Sequence, residues 1–228
     1  MTGDRPAVSV VVPFYEAERY LGETLASIEA QTEPADEIVL VDDGSTDGGP
    51  AVAADHVGPA QVVTLAHGGI GAARNAGLAR ARGELVAFCD ADDLWEPTKL
   101  ARQRAELEAH PELGAVLCGV QEFVSPELDP EVIGVRPVRR RDEGVATSAL
   151  LVRRSVVDEV GDFDETLTVG EWFDWYARLR ETGHPIGAVD EVLVRRRLHE
   201  TNNGRRHQQS RGEYLQVLRA HLARTRPS

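Results

Sequence analysis

Three aspartates stand together directly after a short apolar run in the sequence. Residues 85–89 are apolar without alternation, which predicts an interior β-strand, and the strand is followed by Asp90, Asp92 and Asp93. Carboxylates gathered at the end of a buried strand are costly unless positive charge lies on them. Mg²⁺ and Mn²⁺ bind one or two carboxylates together with phosphate oxygens, so the cluster predicts a divalent-cation site for a phosphate-bearing ligand. The alternative is that Asp92 or Asp93 caps the helix that follows.

A second acidic pair follows another predicted strand. Asp42 and Asp43 come after residues 37–41, and a third predicted strand, residues 8–12, is followed by Pro13. In an open α/β sheet, ligands collect at the carboxyl ends of the strands, so we expect these residues near the first cluster. The alternative is that the two aspartates start a turn and cap the next helix.

Four short motifs occur in a fixed order along the first half of the chain. Together they resemble a family 2 glycosyltransferase of the GT-A fold: VVVPFY at 10–15, VDDGSTD at 41–47, GAARNAG at 71–77 and DADD at 90–93. Each motif alone is weak, but four in this order at these spacings are specific. The resemblance is strong over residues 7 to about 110 and looser from there to about residue 204. It implies metal-dependent transfer from a nucleotide sugar, with a UDP-sugar as the favoured donor and inversion at the sugar.

The resemblance also implies which residues hold the donor nucleotide. Pro13 and Tyr15 are expected to line the nucleotide pocket, and Asp43 to accept a hydrogen bond from the imide N–H of uracil or another pyrimidine. That bond would be charge-assisted, which fits a carboxylate in this position. Arg74 is expected to reach the diphosphate or to support the acidic cleft, and an ordinary salt bridge is the alternative.

Asp90 and Asp92 match the family's DxD-type motif. The resemblance implies that Asp92 ligates Mn²⁺ or Mg²⁺ directly, while Asp90 contacts the ribose or a metal-bound water. His199 matches a late histidine that relatives supply to the metal or diphosphate, and the segment Leu198 to Gly204 is expected to close over the donor. The alternative for His199 is a purely structural role. The metal would act as a Lewis acid on the leaving diphosphate.

The acceptor side departs from the family pattern. Many relatives carry a Glu-Asp pair at the start of a helix, and the Asp is the general base. Here Glu171 matches the Glu, but Trp172 stands at the position of the base. We therefore expect Glu171 to take the acceptor proton, because Gly170 leaves room for an acceptor beside it, and Asp174 is the second candidate. The alternative for Glu171 is a favourable interaction with the helix dipole.

Helical and strand patterns alternate along the chain, which predicts an α/β fold. We expect a GT-A type, doubly wound and mostly parallel sheet in a single domain spanning residues 1–228. A Rossmann-like nucleotide-binding half covers about 7–110, an acceptor half about 111–204, and a basic amphipathic helix lies within 205–228. The predicted helices are 19–31, 70–82, 98–109, 153–160, 172–181 and 212–223; the further strands are 62–65, 115–124, 145–152 and 186–198, and residues 125–143 read as a loop.

Composition limits the classes of function. The net charge of −13 argues against a nucleic-acid partner, although nine arginines and two acids from Arg195 onward make the end of the chain basic. That basic tail is either a solvated face or a counter-charge for the diphosphate. The two cysteines make no disulfide framework. Neither a signal sequence nor an apolar run of about 18 residues is found, so we expect a cytoplasmic protein that could still work at a membrane surface.

Two other classes of protein compete with an active glycosyltransferase. A sugar-phosphate nucleotidyltransferase would carry a Gly-rich loop with Arg and Lys near the N-terminus, and Val8 to Tyr15 has no such loop. A catalytically inactive nucleotide-sugar-binding protein stays open because of Trp172. The acceptor also stays open among a saccharide, a lipid-linked sugar, a natural product and a peptide, as does a homo-oligomer formed through the C-terminal helix.

Overall fold

A mixed β-sheet forms the centre of the molecule in a computed structural model, which describes residues 5–56, 60–128, 139–140, 146–200, 202 and 211–225. The strands within this part are β1 (Val8–Phe14), β2 (Glu37–Asp42), β3 (Ala60–Thr64), β4 (Leu85–Phe88), β5 (Leu94–Trp95), β6 (Ala115–Val124), β7 (Arg139–Arg140), β8 (Leu151–Arg153) and β9 (Ile186–Leu198). The helices are α1 (Leu21–Glu29), α2 (Gly49–Asp55), α3 (Ile70–Arg80), α4 (Lys99–Ala109), α5 (Arg154–Val160), α6 (Glu171–Glu181) and α7 (Arg211–Thr225).

The first half of the sheet is parallel, as the sequence predicts. Strand β1 pairs with β2 on one side and with β4 on the other, and β2 pairs with β3, all in the parallel direction. All seven residues of β1 are buried, because helices cover both faces of a parallel sheet. Helix α3 packs so closely on this sheet that a Cβ at Gly77 would overlap with Val11, which explains a glycine inside a helix.

The second half of the sheet makes the whole sheet mixed. The strand order is β3-β2-β1-β4-β8-β6-β9-β5, with β7 paired to β6 outside this row. Strand β8 runs antiparallel to both β4 and β6, and β5 runs antiparallel to β9, whereas β6 and β9 are parallel. The sequence predicts a mostly parallel sheet instead, because hydrophobic periodicity identifies a strand but does not give its direction.

The predicted helices are all present, with ends shifted by at most two residues. Three short elements, α2, β5 and β7, were missed because none is long enough to show a periodic pattern, and β7 lies inside the loop predicted for 125–143. The strand predicted for residues 145–152 is instead a 3₁₀ turn at Thr147–Ala149 followed by β8; residue 145 lies outside the described residues. Most of the loop predicted for 125–143 also lies outside them. No helix in the part of the chain listed above is long and apolar enough to cross a bilayer.

Helix α7 is held against α6 by polar contacts. His221 and Arg224 both contact Glu181, at 2.7 and 2.8 Å, and Arg224 also lies 3.4 Å from Asp174. Val217 is buried beside Gly170 at the start of α6. The stripe of Leu215, Leu218 and Leu222 faces away from these contacts, and each of the three side chains is about half exposed.

Lys99 at the start of α4 is wholly buried, which is unusual for a lysine. Its ammonium group lies 3.9 Å from the centroid of the Trp95 ring and donates a hydrogen bond of 2.8 Å to Gln103 Oε1. Burial lowers the pKa of Lys99 from 10.5 to about 8, because the interior disfavours the charged form. The folded protein therefore binds fewer protons than the unfolded chain between these two values.

We predict that Lys99 makes the protein more stable as the pH rises through this window. The unfolding free energy of the wild type, relative to that of Lys99→Met, should increase by about 2 kcal/mol between pH 8 and pH 10. Urea unfolding of both proteins at the two pH values measures this change, and Met serves because it has a similar volume and no charge. A difference that stays constant with pH would show that Lys99 does not have a lowered pKa.

Candidate functional site

The acidic clusters lie at one edge of the sheet, where β1, β2 and β4 end. Phe14 at the end of β1 lies beside Asp42 at the end of β2, and Val11 lies beside Phe88 at the end of β4. Parallel strands bring their carboxyl ends to the same edge, so the residues that follow them share a surface. The structure thus brings together the clusters that the sequence places about 50 residues apart.

Asp43 holds the loop that leads into α3. Its two carboxylate oxygens accept hydrogen bonds from the backbone N–H groups of Gly68 and Gly69, at 2.7 and 2.9 Å. The positive φ of Gly69, 90°, lets the chain turn into the helix at this point. Asp43 is therefore not a cap of α2, and only the neighbouring Asp42 forms the expected turn, by accepting a hydrogen bond of 2.9 Å from Ser45 N.

An aromatic pair stands beside Asp43. The rings of Tyr15 and His67 are stacked with their centroids 4.3 Å apart, and His67 Nδ1 lies 3.1 Å from Asp43 Oδ2. Both rings are well exposed, with 42% of Tyr15 accessible. Pro13, predicted to line the same pocket, is buried within β1 next to Val41. His67 was missed by sequence reasoning, and its position before two glycines at the end of a strand was the available signal.

Arg74 is the positive charge that the aspartate cluster requires. Its guanidinium donates hydrogen bonds to Glu171 Oε1, to Asp90 Oδ1 at 3.0 Å and to Thr147 Oγ1 at 3.1 Å. The ring of Phe163 lies 5.4 Å from the guanidinium carbon. Burial opposes the charge, but Asp90 and Glu171 outweigh it and raise the pKa of Arg74 above its ordinary value. The side chain therefore stays charged in the interior.

The two predicted base candidates have different surroundings. Glu171 is the first residue of α6, is 95% buried, and pairs with Arg74. Its second oxygen, Oε2, is buried and has no hydrogen-bond partner among the described residues. Asp174 instead pairs with Arg178 at 2.8 Å and with Arg224 at 3.4 Å, so it joins α6 to α7. The structure brings Glu171, and not Asp174, to the arginine that binds Asp90.

Asp92 and His199, which are predicted to share a ligand, are in direct contact. His199 Nε2 lies 2.7 Å from Asp92 Oδ2, and Asn202 Nδ2 donates to the same oxygen at 3.1 Å. Asn202 also accepts a hydrogen bond from His199 N at 2.6 Å. His199 rests on the ring of Tyr20, with centroids 4.7 Å apart. Of the segment predicted to close over the donor, residues 201, 203 and 204 lie outside the described residues.

The Asp92–His199 pair fits a divalent metal by the chemistry of its donors. A carboxylate oxygen and an imidazole nitrogen are both ligands that Mn²⁺ accepts. No group of three His, Cys, Asp or Glu side chains arranged to hold a metal is found within the described ranges. The pair could therefore supply two ligands, and a bound metal would need phosphate oxygens and water to complete its coordination.

Asp93 belongs to the interior and not to the open cleft. It accepts hydrogen bonds from Ser148 Oγ at 2.7 Å and from Arg197 N at 3.2 Å. Burial raises its pKa well above the usual range, and the nearby charges of Asp92 and Asp90 raise it further. Because α4 begins at Lys99, neither Asp92 nor Asp93 caps that helix.

Arg197 holds the backbone of the acidic segment 90–93. This role was not predicted from the sequence. It donates to the backbone oxygen of Asp92 at 3.1 Å and to Glu23 at 2.6 Å. Its guanidinium lies between the rings of Tyr20 and Phe123, at 4.7 and 4.8 Å. The sequence grouped Arg197 with a basic tail, because three arginines in a row do not show which one faces inward.

Comparison with known proteins identifies the family of this chain. The family model described as glycosyl transferase family 2 matches residues 9–158. An uncharacterised glycosyltransferase of Nostoc is 46% identical over 102 residues, which cover 42% of this chain and 31% of that protein. One from Rickettsia felis is 26% identical over 218 residues, covering 88% of this chain and 36% of that protein. The chain thus spans about a third of the length of these curated relatives.

Solved structures share the fold. TarS 1–349 from S. aureus in complex with UDP-GlcNAc superposes with a TM-score of 0.78 at 22% identity, covering 95% of this chain and 66% of that one. The mannosyltransferase PcManGT from Pyrobaculum calidifontis, in complex with GDP-Man and Mn²⁺, gives a TM-score of 0.70 at 25% identity, covering 96% and 64%. The predicted GT-A fold is confirmed.

Proposed function

This chain belongs to glycosyl transferase family 2, and on that premise we propose that it transfers a sugar from a nucleotide-sugar donor to an acceptor nucleophile. The donor is a UDP-sugar, the transfer inverts the sugar, and Mn²⁺ or Mg²⁺ assists. One observation carries the proposal. Gly69, directly before helix α3, donates a hydrogen bond to Asp43, and Arg74 within the helix donates to both Asp90 and Glu171. The loop after β2, the acidic end of β4 and the start of α6 thus all contact α3 or the residue before it.

The donor nucleotide lies on the loops after β1 and β2, with Pro13 and Tyr15 lining its pocket. Asp43 binds the base. Each of its oxygens accepts one backbone N–H, and a carboxylate can accept about four hydrogen bonds, so capacity remains for an imide N–H. Complexes of the structural neighbours with UDP-GlcNAc and GDP-Man support a nucleotide-sugar donor of this general kind.

The diphosphate lies over the Asp92–His199 pair. These two side chains would hold the metal, which would supply Lewis-acid neutralisation of the leaving diphosphate. Asp90 is held by its ion pair with Arg74, and we assign it to the ribose. Arg74 holds Asp90 and does not itself contact the donor, since the residue is 97% buried and its guanidinium already donates to three side chains.

Glu171 takes the proton from the acceptor, and Asp174 is the second candidate. Glu171 lies at the start of a helix and in contact with Arg74, which binds the donor residue Asp90. Trp172, at the usual position of the base, is buried and stacked on Trp175 with ring centroids 5.8 Å apart. Its place in the core favours a packing role. The acceptor itself stays open among saccharides, lipid-linked sugars, natural products and peptides.

A donor screen tests the proposed function. The protein is incubated with UDP-GlcNAc, UDP-glucose, UDP-galactose and GDP-mannose, each with and without Mn²⁺, and both the melting temperature and the release of nucleoside diphosphate are measured. We expect a UDP-sugar with Mn²⁺ to raise the melting temperature and to release UDP slowly, with water replacing the acceptor. Binding of a UDP-sugar without release, even with candidate acceptors added, would favour the inactive binding protein. Absence of binding by every donor would contradict both.

Asp43→Ala is expected to weaken UDP binding by about 1.5–3 kcal/mol, because a charge-assisted hydrogen bond is lost. Titration calorimetry with UDP and Mn²⁺ measures the loss. Asp42→Ala is the matched control, since it removes a neighbouring carboxylate that accepts a hydrogen bond from Ser45 N within its own turn. Asp43 also holds Gly68 and Gly69, so the melting temperature of each variant must be compared. Equal UDP affinity in the wild type and Asp43→Ala would exclude the contact to the base.

A further inference from the structure

Arg74 joins the two halves of the site through one buried side chain. It pairs with Glu171 by Nη1 and with Asp90 by Nη2, at 3.0 Å for the second contact. We propose that Arg74 is a positioning residue. It orients the carboxylate of Glu171 toward the acceptor, and it links Glu171 to Asp90, the residue assigned to the nucleotide sugar. This inference rests on the proposed function and explains how the side chain of the proposed base is oriented.

The two oxygens of Glu171 are in different situations. Oε1 accepts a hydrogen bond from Arg74, whereas Oε2 is buried and has no partner among the residues that the structure describes. An unpartnered buried carboxylate oxygen is costly and points to a ligand that satisfies it. With Oε1 held, Oε2 is the atom left to accept a hydrogen bond, and then the proton, from an acceptor hydroxyl or other nucleophile.

The surroundings of Arg74 hold its guanidinium in one plane. The side chain is 97% buried, Nη2 also donates to Thr147 Oγ1 at 3.1 Å, and the Phe163 ring lies 5.4 Å from Cζ. Because the donors of a guanidinium form a rigid fork, the position of Asp90 and that of Glu171 are set together. A lysine carries the same charge but a single nitrogen, so it cannot hold both carboxylates in this geometry.

A kinetic comparison of Arg74→Lys with the wild type tests the positioning role. Release of UDP from the UDP-sugar identified by the donor screen gives kcat, and calorimetry with UDP and Mn²⁺ gives the donor affinity. We expect kcat to fall by about 100-fold, because a shift of about 1 Å in a reacting group costs that much. The affinity for UDP should stay within about threefold, a change below 1 kcal/mol, because lysine keeps the positive charge beside Asp90.

Arg104→Lys is the matched control. Arg104 is also almost fully buried and pairs with a carboxylate, Asp36, at 3.1 Å, but this pair lies between α4 and the start of β2, away from the strand ends that form the site. Arg104→Lys should lower the melting temperature about as much as Arg74→Lys does, while its kcat stays within about twofold of the wild-type value. A loss of activity caused only by a loosened interior would affect both variants alike.

The double variant Arg74→Lys/Glu171→Gln distinguishes positioning of Glu171 from an independent role. If Arg74 acts through Glu171, the double variant should be no more than about threefold slower than Glu171→Gln alone. If Arg74→Lys does not fold, Glu171→Asp is measured in its place. Aspartate keeps the negative charge, but its side chain is one methylene shorter, so the carboxylate lies farther from Arg74. That variant should lower kcat at least about tenfold with unchanged UDP affinity.

Each other outcome overturns the inference. An unchanged kcat in Arg74→Lys, or losses that multiply in the double variant, would show that Arg74 does not act through Glu171. A parallel loss of UDP affinity and kcat would place Arg74 on the diphosphate instead. These results differ from failure of the proposed function, in which the wild type itself would neither bind UDP with Mn²⁺ nor release UDP from any UDP-sugar.

Discussion

Asp92→Asn is expected to abolish metal-dependent binding of UDP and most of the turnover. Asp92 contacts His199 at 2.7 Å, and its side chain is about one-quarter exposed. Asparagine keeps the size and can still accept hydrogen bonds from His199 and Asn202, so the fold should persist while the charge that attracts a cation is lost. Losing a Lewis acid worth several kcal/mol should lower kcat by about 100-fold or more.

Calorimetry of UDP binding with Mn²⁺, with Mg²⁺ and with EDTA measures the effect of Asp92→Asn. Asp93→Asn is the matched control, because it makes the same chemical change at the neighbouring residue. Asp93 is buried and accepts hydrogen bonds from Ser148 Oγ and Arg197 N, so this variant should bind UDP and Mn²⁺ almost as the wild type does. Unchanged affinity and rate in Asp92→Asn would overturn the metal assignment.

Glu171→Gln is expected to reduce kcat by about 10²–10⁴-fold while the affinity for UDP stays nearly constant, because a general base contributes about that much to the rate. The amide keeps the shape of the side chain and can still accept the hydrogen bond from Arg74 by its oxygen. Single-turnover release of UDP from a UDP-sugar, together with calorimetry of UDP binding, separates the loss of chemistry from a loss of binding.

Asp174→Asn, measured beside Glu171→Gln, provides the comparison within the same helix. Asp174 pairs with Arg178 and Arg224, so its loss should lower the unfolding free energy by about 1–2 kcal/mol and have the smaller effect on kcat. If the order of the catalytic losses is reversed, the base is Asp174. If neither variant slows turnover, the reaction uses an acceptor that is already activated, such as a thiolate, or a retaining route without a protein base.

The fold could be predicted from the sequence as far as local pattern and motif order allow. The buried strands β1, β2 and β4 are apolar without alternation, and this pattern depends only on residues within each strand. The direction of β8 was not predictable in this way, since it depends on where the chain re-enters the sheet between β4 and β6. The short turn at Thr147–Ala149 is also tertiary in origin, because Thr147 and Ser148 bind Arg74 and Asp93.

By itself, the sequence determined the family, the GT-A fold and the residues that could carry the chemistry, because these follow from motif order and from patterns a few residues long. Only the tertiary structure decided which of these residues meet. Arg74 and Glu171 are 97 positions apart, and nothing in either segment indicates their ion pair. Asp174, three residues from Glu171, joins α6 to α7 instead. The physical reason is that side chains three residues apart lie on nearly the same face of a helix, so the helix itself does not decide which partner each one contacts. The elements packed around α6 decide it: α3 contacts Glu171, and α7 contacts Asp174.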